Sequence, residues 1–353
     1  MLNRTPLFDA HVAAGARMVP FGGWEMPLHY GSQIVEHQAV RSRAGMFDVS
    51  HMTIIDVTGP NAHTFLARLV ANDIGKLKND GDALYGTLLN DKAGIIDDLI
   101  VYRVSNGYRA VVNASTRDKV LAWFASEDRG ADVKERKDLG MLAVQGPEAV
   151  GIVADLTRKH GLRDLRSFSA LIDGNWMIGR TGYTGEDGVE LMLPADEAID
   201  LFGRLRTAGV QPAGLAARDT LRLEGGLNLY GQDMTEANHP WESNIGWSVA
   251  LEPESRDFVG RQRLVELKQS YELKLTGMVY EGKGIVRHDF PVRTNAGEGV
   301  VTSGVFSPTR ELSIALVRVP RAAKGECEVE IRGKWMPANL VRPPFVRNGK
   351  QVY

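Results

Sequence analysis

From about residue 270 onward the sequence stops supplying helices, and this change of texture limits the possible folds more than any other feature. Segments 274–280, 299–306, 313–319 and 327–331 are short, apolar and rich in β-branched residues, with Gly, Pro and Asn between them. Short strands cannot bury a face alone and must close on one another. The pattern predicts a small β-barrel or sandwich as a separate C-terminal unit, residues 271–353.

Upstream the two periodicities alternate, which predicts an α+β region over residues 1–270. Strands are expected at 53–57, 83–89, 95–104 and 108–112. Pro60 can open a helix in which Phe65, Leu66, Leu69 and Val70 recur at helical spacing. A second helix is expected at 116–125 with Ser115 as its N-cap, and a third at 148–156 after Gly146-Pro147. A fourth, 195–208, should turn Ile199, Leu201, Phe202 and Leu205 inward. At 353 residues, and roughly 100–200 residues per domain, the chain should form two or three domains.

Charge narrows the function classes. The formal net charge is −2 and no Lys/Arg-rich run stands out, which argues against a nucleic-acid partner. Cys327 is the single cysteine, so an internal disulfide and a multi-cysteine metal site are excluded, and a reducing compartment fits. No run approaches the about 18 apolar residues of a membrane span. The first residues show no apolar signal core, so the expectation is a soluble cytoplasmic protein.

The segment Gly94-Ile95-Ile96-Asp97-Asp98-Leu99-Ile100-Val101-Tyr102 places two acids in an apolar strand. Period-two alternation puts Asp98 on one face with Ile96 and Ile100. A buried carboxylate must be paired, protonated or aimed into a cavity. The competing reading is that both acids begin the strand and cap neighbouring amides, and spacing alone leans slightly that way.

Thr181-Gly182-Tyr183-Thr184-Gly185-Glu186-Asp187-Gly188-Val189-Glu190 is the second informative stretch. Three glycines in seven residues permit a tight turn or close approach to a ligand, and Glu190 then enters an apolar strand. A plain β-hairpin is the commoner meaning. A phosphate loop is excluded, because the Lys-Ser/Thr ending is missing. In Arg218-Asp219-Thr220-Leu221-Arg222-Leu223-Glu224, which looks helical, Arg218 could clamp an anion or belong to a local ion pair. The eight histidines show no metal spacing, so His29 and His51 read as packing residues. No G-x-S-x-G signals a serine nucleophile. Trp24, Tyr85, Trp241 and Trp247 read first as core.

Taken in order, the motifs resemble one family from end to end. They are Thr5-Pro6-Leu7-Phe8, Phe21-Gly22-Gly23-Trp24-Glu25-Met26-Pro27 and Gly45-Met46-Phe47-Asp48-Val49-Ser50-His51-Met52. Ile95-Ile96-Asp97-Asp98-Leu99, Arg180 to Glu186, Ala217-Arg218-Asp219 and Leu229-Tyr230-Gly231-Gln232-Asp233-Met234 follow. Thr302-Ser303-Gly304 and Phe306-Ser307-Pro308-Thr309 complete the set. The sequence is similar to the aminomethyltransferase, or glycine cleavage T-protein, family.

That resemblance implies a three-domain cloverleaf: two mixed α/β domains and a C-terminal β-barrel around a central folate cavity. It implies transfer of a methylene unit from an aminomethyl group on the lipoyl arm of H-protein to tetrahydrofolate. The products would be 5,10-methylenetetrahydrofolate, ammonia and the dihydrolipoyl carrier. The second acid of the Asp-Asp pair, here Asp98, would stand at the reacting nitrogen. Folate contacts would fall on Tyr85, Asn113, Tyr183, Glu190 and Arg218, with Met52 and Trp247 near the pocket and no metal. Two other classes share the architecture: folate-dependent demethylases of a small sulfonium donor, and non-enzymatic folate-binding proteins. The latter carry Lys-Gly-Cys-Tyr-x-Gly-Gln, where this chain has Asn228-Leu229-Tyr230-Gly231-Gln232. The sequence departs from the family pattern at Ala216, at Glu224-Gly225-Gly226 and at Arg310-Glu311-Leu312, where an apolar-glycine turn is usual.

Overall fold

The computed structural model describes residues 2–127 and 129–352. Two sheets lie face to face, each with helices on its outer side. The first is antiparallel and five-stranded, in the order Ala83–Leu89, Ile95–Val104, Gly107–Val112, Thr53–Thr58, Asp132–Glu135. Its outer face packs on helices Ala62–Leu69 and Arg117–Ser126 through Phe65, Leu66, Leu69, Val120 and Phe124. The second sheet has the order Ala170–Asp173, Trp176–Gly179, Gly188–Pro194, Leu139–Gln145, Gly45–Asp48, Gln211–Pro212. Helices Ala149–Thr157 and Ala195–Thr207 cover its outer face. The inner faces share one core, in which Ile54, Tyr102 and Val111 of the first sheet meet Phe47, Met141, Met177 and Met192 of the second.

A three-stranded sheet, Asn3–Arg4, Trp24–His29 and Arg17–Phe21, precedes helix Gln33–Ser42, which packs on helix Leu215–Glu224. The C-terminal strands close as expected into a six-stranded barrel. Its order is Leu273–Tyr280, Leu312–Pro320, Gly297–Ser307, Pro291–Thr294, Glu326–Ile331, Lys334–Val341, and the last strand returns to the first. Pro291–Thr294 and Lys334–Val341 lie outside the four predicted segments: the first is short, and Pro337 interrupts the second.

Three local expectations change. Ser115 is exposed in a 3-10 turn, and helix Arg117–Ser126 starts from Thr116, whose hydroxyl is engaged elsewhere. In Ala195–Thr207 the inward set is Ala198, Leu201, Phe202 and Leu205, while Ile199 faces out at 43% exposure. Ala198 sits exactly one turn before Phe202, so the small residue takes the inner position. Ile96 joins Leu99 and Val101 in the outer-face core instead of sharing a face with Asp98. A bulge causes this: Leu88 pairs Asp97 and Leu89 pairs Ile95, so Ile96 is skipped and the alternation shifts there.

Candidate active site

Cross-strand register places the two acids on opposite faces of the first sheet. Asp97 is fully buried and accepts from the Asn113 amide N–H at 3.1 Å, Asn113 Nδ2 at 2.8 Å and Thr116 Oγ1 at 2.6 Å. These three bonds tie the strand to the start of helix Arg117–Ser126. Asp97 does cap a backbone amide, that of Asn113, but from a fully buried position inside the strand and not from a wet strand end. Asp98 lies opposite Thr87 and is only half-buried. It accepts from Tyr85 Oη at 3.1 Å and from Asn113 Nδ2 at 2.8 Å, which leaves its oxygens room for a further donor.

Burial pushes the Asp97 carboxyl up to about 7, and the neighbouring Asp98 charge adds to the shift. Burial likewise raises Asp98 to about 6, against the hydrogen bonds from Asn113 and Tyr85. Two carboxyls this close titrate as one unit, whose steps belong to the pair. Tyr85 stays protonated, first through burial and then through the Asp98 charge. The Trp247 ring stacks on it at 5.4 Å between centroids and is 71% exposed. Trp247 is thus the outer wall of the acid's surroundings and does not join the core.

A second group gathers on the other sheet. The glycine-rich segment is the connection between Trp176–Gly179 and Gly188–Pro194, an antiparallel pair in which Glu190 lies opposite Gly179. Gly185 adopts φ +78°, and a Cβ on Gly182 would stand 1.9 Å from Gln145 Oε1. The glycines therefore serve the turn, as a plain hairpin requires, and the turn in turn presents Tyr183. Glu190 is buried and accepts from Thr181 Oγ1 at 2.6 Å, while that oxygen lies 2.9 Å from Tyr102 Oη. Burial raises the Glu190 carboxyl despite the Thr181 bond and the Arg218 charge.

Arg218 settles over the Tyr183 ring, 4.6 Å from its centroid. Among the described residues no carboxylate pairs with it; the local ion pair belongs to Arg222, which reaches Asp219 at 2.9 Å and Asp233 at 2.7 Å. A half-buried guanidinium without an anion invites one. The Tyr183 hydroxyl, bonded to the Asn228 carbonyl, feels Arg222, Arg218 and Asp98. Tyr183 thereby links the two groups. Met52 packs with Ile100 on the core between the sheets and makes no polar contact to either group.

A cavity of about 510 Å³ opens beside Tyr183 and Arg218, with Phe21, Ile34, Arg287 and Phe306 among its walls. The N-terminal sheet, the glycine-rich turn, helix Leu215–Glu224 and the barrel contribute to it, and its size suits a ring system with a tail. Asp98 and Glu190 do not line it. Tyr183 and Arg218 are the residues it shares with the polar group behind. The sequence reading missed Thr116 and Thr181, which hold the acids in place; a threonine carries no local signal of a partner many residues away. Among the described residues no cluster of three or more His, Cys, Asp or Glu is placed to hold a metal.

Residues 7–253 match the GCVT N-terminal domain, and residues 273–347 match the glycine cleavage T-protein C-terminal barrel domain. The chain is 55% identical to the aminomethyltransferase of Pseudomonas syringae pv. tomato, over 100% of both chains. It is 53% identical to the aminomethyltransferase of Chromobacterium violaceum, over 99% of each. The crystal structure of the glycine cleavage system aminomethyltransferase T from Bartonella henselae superposes with a TM-score of 0.93 at 36% identity, over 99% of both chains. Paired sheets and a closed barrel, together with these likenesses, define a group-transfer enzyme of the aminomethyl-transferring class. The chain belongs to the glycine cleavage T-protein family.

Proposed function

We propose that this enzyme moves the methylene carbon of an aminomethyl group from the dihydrolipoyl arm of H-protein to tetrahydrofolate. Two C–N bonds form to the folate nitrogens, the C–S and original C–N bonds break, and the two displaced N–H protons leave with the thiol and with ammonia. The donor carbon is already activated, so the protein chiefly holds the partners and moves protons.

The observation that carries this reading is the asymmetry of the acid pair. Asp97 is saturated by Asn113 and Thr116, whereas Asp98 keeps acceptor capacity and a raised affinity for protons. A carboxylate that binds protons near neutrality suits removal of a proton from a folate nitrogen. Tyr85 and Asn113 orient it, and Trp247 with Tyr85 forms a stacked aromatic wall for a flat ring. Glu190 offers its free oxygen to the adjacent N–H donors of a pterin edge, Arg218 takes an acceptor, and Met52 fills the apolar floor.

The division into residues 1–270 and 271–353 belongs to the same proposal. Helix Arg261–Ser270 ends one part and barrel strand Leu273–Tyr280 begins the other. So does a cytoplasmic setting, which the single cysteine supports; among the described residues no helix is long and apolar enough to cross a membrane. The test is ammonia release from tetrahydrofolate and aminomethyl-loaded H-protein. Turnover is expected. Silence there, with demethylation of a sulfonium donor instead, would move the enzyme to the demethylase class.

A further inference from the structure

His51 is a histidine whose polarity the folded chain leaves unused. It follows strand Gly45–Asp48, is 5% exposed, and packs edge-on against Phe21 with ring centroids 5.8 Å apart. Among the described residues neither ring nitrogen has a hydrogen-bond partner, and Nδ1 is sealed from solvent. Buried polar groups are almost always paired, and an orphan costs stability. Nε2 is also unpaired but is not sealed, so the ring keeps one nitrogen open to a partner that arrives from outside.

Its surroundings say where that partner sits. Phe21 and Arg218 both line the cavity, and the Arg218 charge reaches the imidazole. Burial, with Arg218 adding to it, holds the His51 ring down at about 4, so it is neutral at ordinary pH. A neutral imidazole carries one N–H. An enclosed N–H without an acceptor is the costlier orphan, so the proton belongs on Nε2 and the sealed Nδ1 keeps its lone pair.

We propose that His51 is a positioning residue that donates its Nε2–H, beside Arg218, to the ring carbonyl of the bound heterocycle. This rests on the folate reading above and deepens it. A lactam edge alternates a carbonyl acceptor with adjacent N–H donors. Glu190, which Arg218 also feels, accepts the donors. The carbonyl then falls to the next groups along, and these are the donors Arg218 and His51. A neutral donor next to a guanidinium adds a second hydrogen bond to one oxygen without placing two cations side by side.

The test compares the full-length wild type with His51→Leu and His51→Gln, following tetrahydrofolate binding by calorimetry and the melting temperature of the ligand-free protein. Leucine removes the sealed orphan Nδ1, so the ligand-free melting temperature should hold or rise. Its folate dissociation constant should weaken about 5- to 10-fold, the scale of one lost hydrogen bond. Glutamine, whose amide reaches toward the Nε2 position, should recover part of that loss. A 4-amino-4-deoxy folate analogue lacks the carbonyl, and its affinity should differ little between wild type and leucine variant. A leucine variant that melts lower and binds folate unchanged would make His51 structural and overturn the proposal. An equal loss for the 4-amino analogue would overturn the carbonyl assignment. If the wild type itself binds no tetrahydrofolate, the folate reading falls and this proposal with it; if the wild type binds and the leucine variant binds as well, only this proposal falls.

Discussion

Asp97 and Asp98 are adjacent in sequence but separated by the sheet plane, and this gives each a different test. Asp98→Asn keeps the size of the side chain and one oxygen for Asn113 Nδ2, and turns its amide toward the Tyr85 hydroxyl, which can accept from it. It should fold, yet slow ammonia release roughly 10²–10⁴-fold, the usual share of general acid–base catalysis; wild-type rates would make Asp98 a structural acid. The pH dependence follows from the raised affinity of both acids for protons. A folded-state value above the ordinary 3.8 means that the stabilising contribution is complete below about pH 4. It is lost as pH rises through about 6 and 7. Thermal melts should therefore place Asp98→Asn above wild type at pH 8, with the gap closing toward pH 4; a gap that does not change with pH would contradict the pair's titration. Glu190→Gln tests the other group. Burial already disfavours the Glu190 charge, so ligand-free stability should change little, whereas folate affinity should fall about 10-fold or more as an acceptor facing N–H donors becomes an amide. An unchanged dissociation constant would remove Glu190 from the site.

At the scale of elements, helices Gln33–Ser42 and Leu215–Glu224 are joined by a buried ionic cluster centred on Glu224. That carboxylate meets Arg41 Nη2 at 2.8 Å and His37 Nε2 at 3.3 Å, and accepts from the Ser307 and Thr309 hydroxyls of the barrel. Arg41 in turn reaches Glu186 at 2.7 Å, so the glycine-rich turn hangs from the same knot. Burial opposes the Glu224 charge, but His37, Arg41 and Ser307 outweigh it and bring the group to about 2. Its stabilising effect is thus present above about pH 4.5 and disappears as pH falls through about 2. Removing one partner of such a pair costs about 3–5 kcal/mol. Glu224→Gln should lower the unfolding free energy from denaturant titration by that amount at pH 7 and shrink the difference in acid; a loss near zero would show that the cluster contributes nothing net. None of this was legible beforehand, because 183 residues separate Arg41 from Glu224 and no local pattern pairs them. The strands carrying Asp98 and Glu190 were legible as the apolar runs 95–104 and 189–193. Ile96 failed because a bulge leaves no mark on the alternation of a single strand. Trp247 failed because an exposed tryptophan violates the expectation that large aromatics are core, and such violations tend to sit at functional surfaces. At Glu311 the turn takes φ +56°, and this chain accepts the strain of a side chain there.

For the molecule as a whole, the barrel is a separate unit by topology but not by energetics. Its Thr302 and Ser303 hydroxyls bond to Asp233 and Arg222, both buried in the lobe ahead of it. Arg318 crosses the same boundary to the carbonyls of Asp233 and Glu242. Without the barrel, Arg222, Asp233 and Glu224 would each lose a partner while remaining enclosed by their own helices and loops, an arrangement costlier than leaving them in water. Of these groups Arg222 also lines the cavity wall, as do Phe306 of the barrel and Phe21 of the N-terminal sheet. Folding of the barrel and completion of the site are therefore one event. Scanning calorimetry of the full chain should show a single transition, and tetrahydrofolate at about 100 times its dissociation constant should raise its stability by about 2.7 kcal/mol. The fragment 1–270 should show no such ligand-dependent rise, because the cavity lacks its third wall and the buried charges their partners. Two resolved transitions in the full chain, the upper one indifferent to folate, would mean that the barrel melts on its own and that the ionic contacts across the boundary do not couple it to the site.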